Sequence, residues 1–197
     1  MTPKVIFKYS EIYDAILKEG KGKLPKIRVF PQVKIINYIK KVETMWQRDE
    51  RKILSELSKI TSLKWSDKKI YCYVVKDSIP FSDPLTIPIY KKYPDYFIDV
   101  LIHELIHRLF TESMNLNKSK KAWNYIFKKY KKQPYNTKIH IPLHAIHAYI
   151  FLKFYNKRRL KREIDWISYL SDYKKSWQIV QKEGYKNIIR EFVKLIK

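Results

Sequence analysis

Over most of the chain, apolar residues return every three or four positions with charges between them, which is the pattern of amphipathic helices. Val33, Ile36, Ile39, Trp46, Ile53, Leu57 and Ile60 keep this spacing from about Gln32 to Leu63 and predict one long helix. Before it, YSEIYDAILKE predicts a short helix with Ser10 as its cap, and KGKLPKIRVFP interrupts the pattern. The period then changes. KIYCYVV, from Lys69 to Val75, is dense in aromatic and β-branched residues and predicts a strand. PLTIPIY, from Pro84 to Tyr90, reads as extended, with Pro88 confined to a sheet edge or bulge because it has no amide proton to donate.

Helical spacing resumes in YPDYFIDVLIHELIHRLFTE, where Pro94 suits a first turn and Asp95 the positive end of the helix. A polar loop and a basic helix, SKKAWNYIFKKYKK, are expected next. QPYNTKIH reads as extended or turn, and a further helix as starting near Pro142 in IPLHAIHAYIFLKFYNKRRLK. From about Ile164 the pattern predicts two amphipathic helices broken near Gly184. Helices, a few strands and then helices predict an α+β fold, helix-dominated, with a small mixed sheet.

Composition sharpens this picture. The 197 residues include only 3 Gly and no Gly/Ser-rich linker, so a single domain over 1–197 is expected. Its parts are an N-terminal helical region 1–63, a central region 64–160 and C-terminal helices 161–197. Hydrophobic residues make up 45%, enough for a core and against global disorder. No run of 18 uncharged apolar residues predicts a transmembrane helix, and the first twenty residues lack the apolar centre of a secretory signal. Cys72 is the single cysteine and has no partner for an internal disulfide, so a cytoplasmic location is expected.

The formal net charge is +23, and no Asp or Glu occurs from Ser113 to Arg162. Two readings stand side by side. The stretch is a solvated helix surface, or its positive field attracts an acidic partner such as nucleic acid, anionic lipid or an acidic protein.

The chemistry is concentrated in IDVLIHELIHRLF, where His103, Glu104 and His107 form H-E-x-x-H. On a helix, residues four apart share a face, so two imidazoles can grip one cation. Glu104 is placed to take a proton from a water on that cation, and zinc lowers the pKa of such a water to about 7. Asp99, one turn before, is either an acceptor that orients the His103 ring or a helix-start carboxylate without that role. The other three histidines, His140, His144 and His147, lie in HIPLHAIH. With the helix starting near Pro142, His144 falls in a first turn that favours a neutral ring, and becomes the expected third ligand. His147 is the expected catalytic hydrogen-bond donor and the second choice as ligand, followed by His140 and then Glu163.

These residues resemble the zincin metallopeptidases, whose active-site helix carries H-E-x-x-H. The resemblance implies zinc held by His103 and His107, with Glu104 as the general base, in a zincin-like domain that cleaves a peptide or protein substrate. It further implies an edge strand, PLTIPIY or KIYCYVV, along which the substrate lies. Phe110 and Ser113 stand where metzincins have Gly and a third His, so that subfamily does not fit. The alternative function is a basic nucleic-acid-associated protein with a structural or vestigial metal site. A SprT-like protease acting on DNA-bound proteins combines both ideas, and a latent, toxin-like protein is a third reading. No zinc-finger spacing, helix-turn-helix signature or Gly-rich phosphate loop accompanies the basic stretch.

Overall fold

Among the described residues, 1–19 and 33–196 of this computed structural model, nine helices accompany four strands. This is the helix-dominated α+β class that the order of patterns predicts. The KGKLPKIRVFP interruption and the expected helix start at Gln32 lie outside the described residues. No helix among the described residues is long and apolar enough to cross a membrane. The chain divides into two units.

The first unit comprises Thr2–Arg51 and Asp67–Arg108. Its strands are β1 (Lys4–Lys8), β2 (Lys69–Val75), β3 (Phe81–Ser82) and β4 (Leu85–Pro88), in the sheet order β1-β2-β4-β3. β2 runs parallel to both β1 and β4, while β3 is antiparallel to β4. β1 was not evident in the pattern. Only Val5 and Phe7 alternate inward, and lysines close both ends, as suits an edge strand. β2 buries Ile70, Cys72 and Val74 on one face. It is paired on both sides, so the expectation that KIYCYVV forms an exposed edge does not hold. Pro88 ends β4 opposite Val75. The Ile89 amide donates to Val75 O at 2.9 Å, so residue 88 turns its nitrogen away from β2, beyond the reach of two-residue β3. There the missing donor leaves no ladder bond unmade.

The helices of this unit begin with α1 (Glu11–Glu19), where Ser10 Oγ accepts from the Tyr13 amide at 3.3 Å and caps the helix as its sequence predicts. The expected single helix over 32–63 is two, α2 (Val33–Gln47) and α3 (Glu50–Thr61). A tight turn at Arg48–Asp49 separates them, with Asp49 N bonded to Trp46 O. Apolar spacing continues through the corner and conceals it. Glu50 Oε1 accepts from Trp46 Nε1 at 3.0 Å and from the Val5 amide at 2.6 Å, fixing the corner to the edge strand. The buried face of α2 is Ile35, Val42 and Trp46, while Val33 and Ile36 are exposed. α4 (Pro94–Thr111) starts at the proline, and its Phe97 ring meets Phe7 and Tyr38 at 5.8 and 5.9 Å between centroids. The residues of α4 up to Arg108 belong here.

The second unit contains Lys52–Ser66 and Leu109–Lys197. It holds most of α3, the last residues of α4, and five further helices: α5 (Ser113–Lys129), α6 (Tyr135–Phe154), α7 (Lys157–Ile167), α8 (Ser171–Glu183) and α9 (Tyr185–Val193). The polar loop expected before α5 is absent, because only Glu112 separates α4 from α5. Buried Asn115 closes the turn. Its Nδ2 donates to Leu109 O and Lys64 O, both at 2.8 Å, satisfying a carbonyl that the end of α4 leaves open. α6 is central and packs against α7, α8 and α9.

α6 differs most from its expected form. QPYNTKIH is not extended, since the helix begins at Tyr135 just after Pro134, and Pro142 lies inside it. An interior proline forfeits one main-chain hydrogen bond. Here burial overrides it, because every residue from His140 to Ala148 is buried, and a helix apolar on all sides gains more from packing than one missing bond costs. Asn156 starts α7 by accepting from the Arg159 amide at 2.9 Å, a break near Tyr155 that the pattern did not show. Gly184 breaks α8 from α9 where expected, at φ +83°.

That glycine yields a first expected outcome. An added Cβ would meet only Asn187 Nδ2 at 3.5 Å, an ordinary contact. The cost of Gly184→Ala is therefore backbone strain, about 1–3 kcal/mol. Urea unfolding should show a lower midpoint with an unchanged slope. An unchanged midpoint would mean that the backbone at 184 relaxes without cost.

Candidate metal centre

His103 and His107 stand one turn apart on α4, with ring centroids 5.0 Å apart at 64°. The sequence places them there by surrounding them with apolar residues. Leu101, Ile102, Leu105 and Ile106 are all fully buried and fix the helix on the sides the motif leaves. His103 and Glu104 are buried with them, while His107 is half-buried. Asp99 is fully buried at the sixth position of α4, so it is not a solvated helix-start carboxylate. Arg108 follows the motif and donates to Asp67 Oδ2 at 3.0 Å and Asp83 Oδ1 at 3.4 Å, tying the β2 approach and the β3–β4 turn to α4.

Burial sets the character of Glu104. Desolvation lifts its pKa from 4.5 to about 8. The Cys72 thiol of β2 is fully buried and pushed up by burial first and by the Glu104 charge second, so the carboxylate lies within electrostatic reach of the sheet. A carboxyl group with a pKa near the working pH can both accept and return a proton.

The other three histidines share α6. None lies in a loop, and His144 is ten residues into the helix, so the positive helix end invoked for it does not apply. His140 and His144 are one turn apart, with centroids at 5.3 Å. His140 Nδ1 faces Asn136 O at 2.8 Å. A carbonyl only accepts, so Nδ1 carries the proton and Nε2 keeps its lone pair, the arrangement that a ligating histidine needs. His144 Nδ1 faces Ser176 Oγ at 2.9 Å, a hydroxyl that can donate or accept, and its ring stacks on Trp177 at 4.3 Å and 8°. His147 is fully buried, edge-on to Phe151 at 4.4 Å. Burial lowers His140 to about 4, against smaller opposing effects of the Asn136 carbonyl and Asp172. Burial, aided by Arg159, lowers His147 to about 3. Both rings are neutral at pH 7, the form that binds metal. Glu163, on α7, is also buried.

Sequence reasoning found the five histidines and Glu104 but missed what surrounds them. Tyr173, whose ring lies 4.1 Å from that of His140, and Ser176 and Trp177 all come from α8. Their spacing of three and four in SDYKKSW is the signal of one helix face, which charged neighbours obscure.

No protein-family model, no curated protein and no solved structure matches the chain.

The shifted groups predict a bell-shaped pH dependence of stability in the presence of a chelator. Below pH 6.5 the unfolded chain protonates His140 and His147 while the folded chain does not, so stability falls as pH falls towards 4. Above 6.5 the folded chain still holds the Glu104 proton that the unfolded chain has lost, so stability falls again until about pH 8. The alkaline decline is at most about 1.4 kcal/mol per pH unit, and Glu104→Gln should abolish it. Urea unfolding across this range measures both limbs. Equal alkaline slopes in the two proteins would assign the decline to another group.

Proposed function

We propose that the chain is a zinc-dependent metallopeptidase in which His103, His107 and His140 hold the ion and Glu104 handles the proton. The observation that carries this reading is the imidazole pair on α4 with a buried carboxyl group of raised pKa beside it. Three imidazoles form a donor set that suits zinc and leaves one position open, the pattern of catalytic sites. His140 is preferred to His144 as third ligand because a carbonyl fixes its tautomer, whereas the Ser176 hydroxyl leaves that of His144 unset.

When bound, zinc polarises a water and the scissile carbonyl. The residues of the chain do the rest. Glu104 accepts a proton as the water oxygen attacks the carbonyl carbon. It returns that proton to the amide nitrogen as the C–N bond breaks, which leaves an amine and a carboxylic acid whose remaining proton passes to the amine or to solvent. Burial raises the pKa of Glu104 to about 8, close enough to neutrality for a carboxyl group both to accept and to return a proton. The substrate class is an extended peptide. In the unit that contains Glu104, β3 pairs with Leu85 and Thr86 of β4 and no described strand pairs with Ile87 and Pro88 on that side, although both residues are buried.

Two expected outcomes follow for purified protein. Metal analysis should find one zinc per chain. His103→Ala, His107→Ala and His140→Ala should each lose it, and His144→Ala should retain it. The reverse result at 140 and 144 would move the third ligand one turn along α6, and full zinc in both α4 variants would remove the site from the motif. Separately, Glu104→Gln should keep its zinc while peptide hydrolysis falls roughly 100-fold or more, since an amide accepts no proton. Undiminished hydrolysis would end the proposed role.

A further inference from the structure

A surface on α7 offers a second kind of chemistry. KRRLKREIDWI places Lys157, Arg158, Arg159, Lys161 and Arg162 within six residues. They do not all face the same way. Arg159 folds back over the Tyr155 ring at 3.8 Å and is taken up in packing. Arg158, Lys161 and Arg162 instead border an open depression of ≈ 450 Å³, together with Asp165 and Trp166. Asp165, the acid of this group, is paired with Lys161 at 2.6 Å. Trp166 is 46% exposed, although a ring of its size is ordinarily drawn into a core. Tyr169, just past the helix, is 78% exposed.

Arg158, Arg162 and Trp166 are four residues apart in turn, so they form one strip with a rise of about 6 Å between neighbours. Two arginines in succession are therefore followed by the half-exposed ring of Trp166 along a shallow depression. An extended strand of nucleotides offers the complementary groups, charged phosphates along its backbone and a flat base on each sugar. An anionic membrane also attracts basic helices, but a membrane helix must bury an apolar stripe in lipid. The corresponding stripe of α7 is used within its own unit, where Ile167 and Glu163 are buried. No leucine, isoleucine, valine or methionine lines the depression.

We infer that this face of α7 binds single-stranded nucleic acid, with Arg158, Lys161 and Arg162 on phosphates and Trp166 stacked on a base. The inference does not rest on the metallopeptidase reading, since none of its residues belongs to the metal centre.

The test uses the full chain and a fluorescein-labelled oligothymidylate about 16 nucleotides long, followed by anisotropy at low and moderate salt, with and without chelator. Binding that survives the chelator and weakens steeply with salt is expected. Trp166→Ala should weaken it about 10-fold without changing the salt slope, and Trp166→Phe should restore most of the loss. Arg158→Gln with Arg162→Gln should lower the salt slope by about 1.4, as two lost phosphate contacts require. The control is Lys120→Gln with Lys121→Gln, an equal charge change on exposed positions of α5. Equal losses in slope and affinity from both pairs would reduce the binding to general attraction by a chain of charge +23 and overturn the assignment. So would an unaffected Trp166→Ala protein, no binding at about 50 mM salt, or tighter binding to phosphatidylserine vesicles than to the oligonucleotide.

Discussion

Placing a carboxyl group inside an apolar environment costs free energy, and α4 is built around that cost. Glu104 lies among Leu101, Ile102, Leu105 and Ile106 on a helix whose sides are almost wholly covered. A carboxylate in such a place neutralises itself or finds a cation. The pKa near 8 is the first of these responses, and an adjacent pair of imidazoles is the natural instrument of the second. The surrounding leucines and isoleucines therefore have two roles. They hold the helix in its unit, and they make ionisation of Glu104 depend on what its neighbours bind.

α6 meets the same constraint differently. Three histidines lie in a run of nine buried residues, and α8 supplies the polar and aromatic groups that make this tolerable. Ser176 and the Asn136 carbonyl each take one ring nitrogen, while Trp177 and Tyr173 cover ring faces. Thr137 is treated likewise, its hydroxyl 2.7 Å from Asp172 Oδ1. Thr137, His140 and His144 are thus accommodated by side chains of α8 and by the first turn of α6 itself, while Tyr149, further along, donates to Glu56 of α3 at 2.6 Å.

What could be read from the sequence depended on whether the signal was local. The helix that carries H-E-x-x-H, the Ser10 cap, Pro94 at that helix's start and the Gly184 break all rest on short-range signals, and each is legible in the sequence. The α6 boundary was not. Pro142 is a strong local start signal, and only the burial of Thr137 and of the run from His140 to Ala148, a tertiary effect, overrides it. This shift also moved the case for the third ligand, which had rested on His144 being in a first turn. The corner between α2 and α3 was hidden for a related reason. Apolar periodicity runs through it, and the contact that turns the chain is the carboxylate of Glu50 reaching the Val5 amide, 45 residues away. β1 was too short, with too few inward side chains, to stand out from its lysines.

The link at Glu112 bears on how the chain can vary in length. Asn115 bonds back to Leu109 over the one-residue link between α4 and α5, so α5 begins in a fixed rotational phase. Successive helical residues are offset by about 100° around the axis. One inserted residue here would turn Ser119, Ala122 and Ile126 from the interior towards water and bring lysines inward in their place. Between Leu109 and Lys129 the chain is consequently a ruler of set length, and insertions or deletions are confined to places such as the turn around Lys131–Gln133.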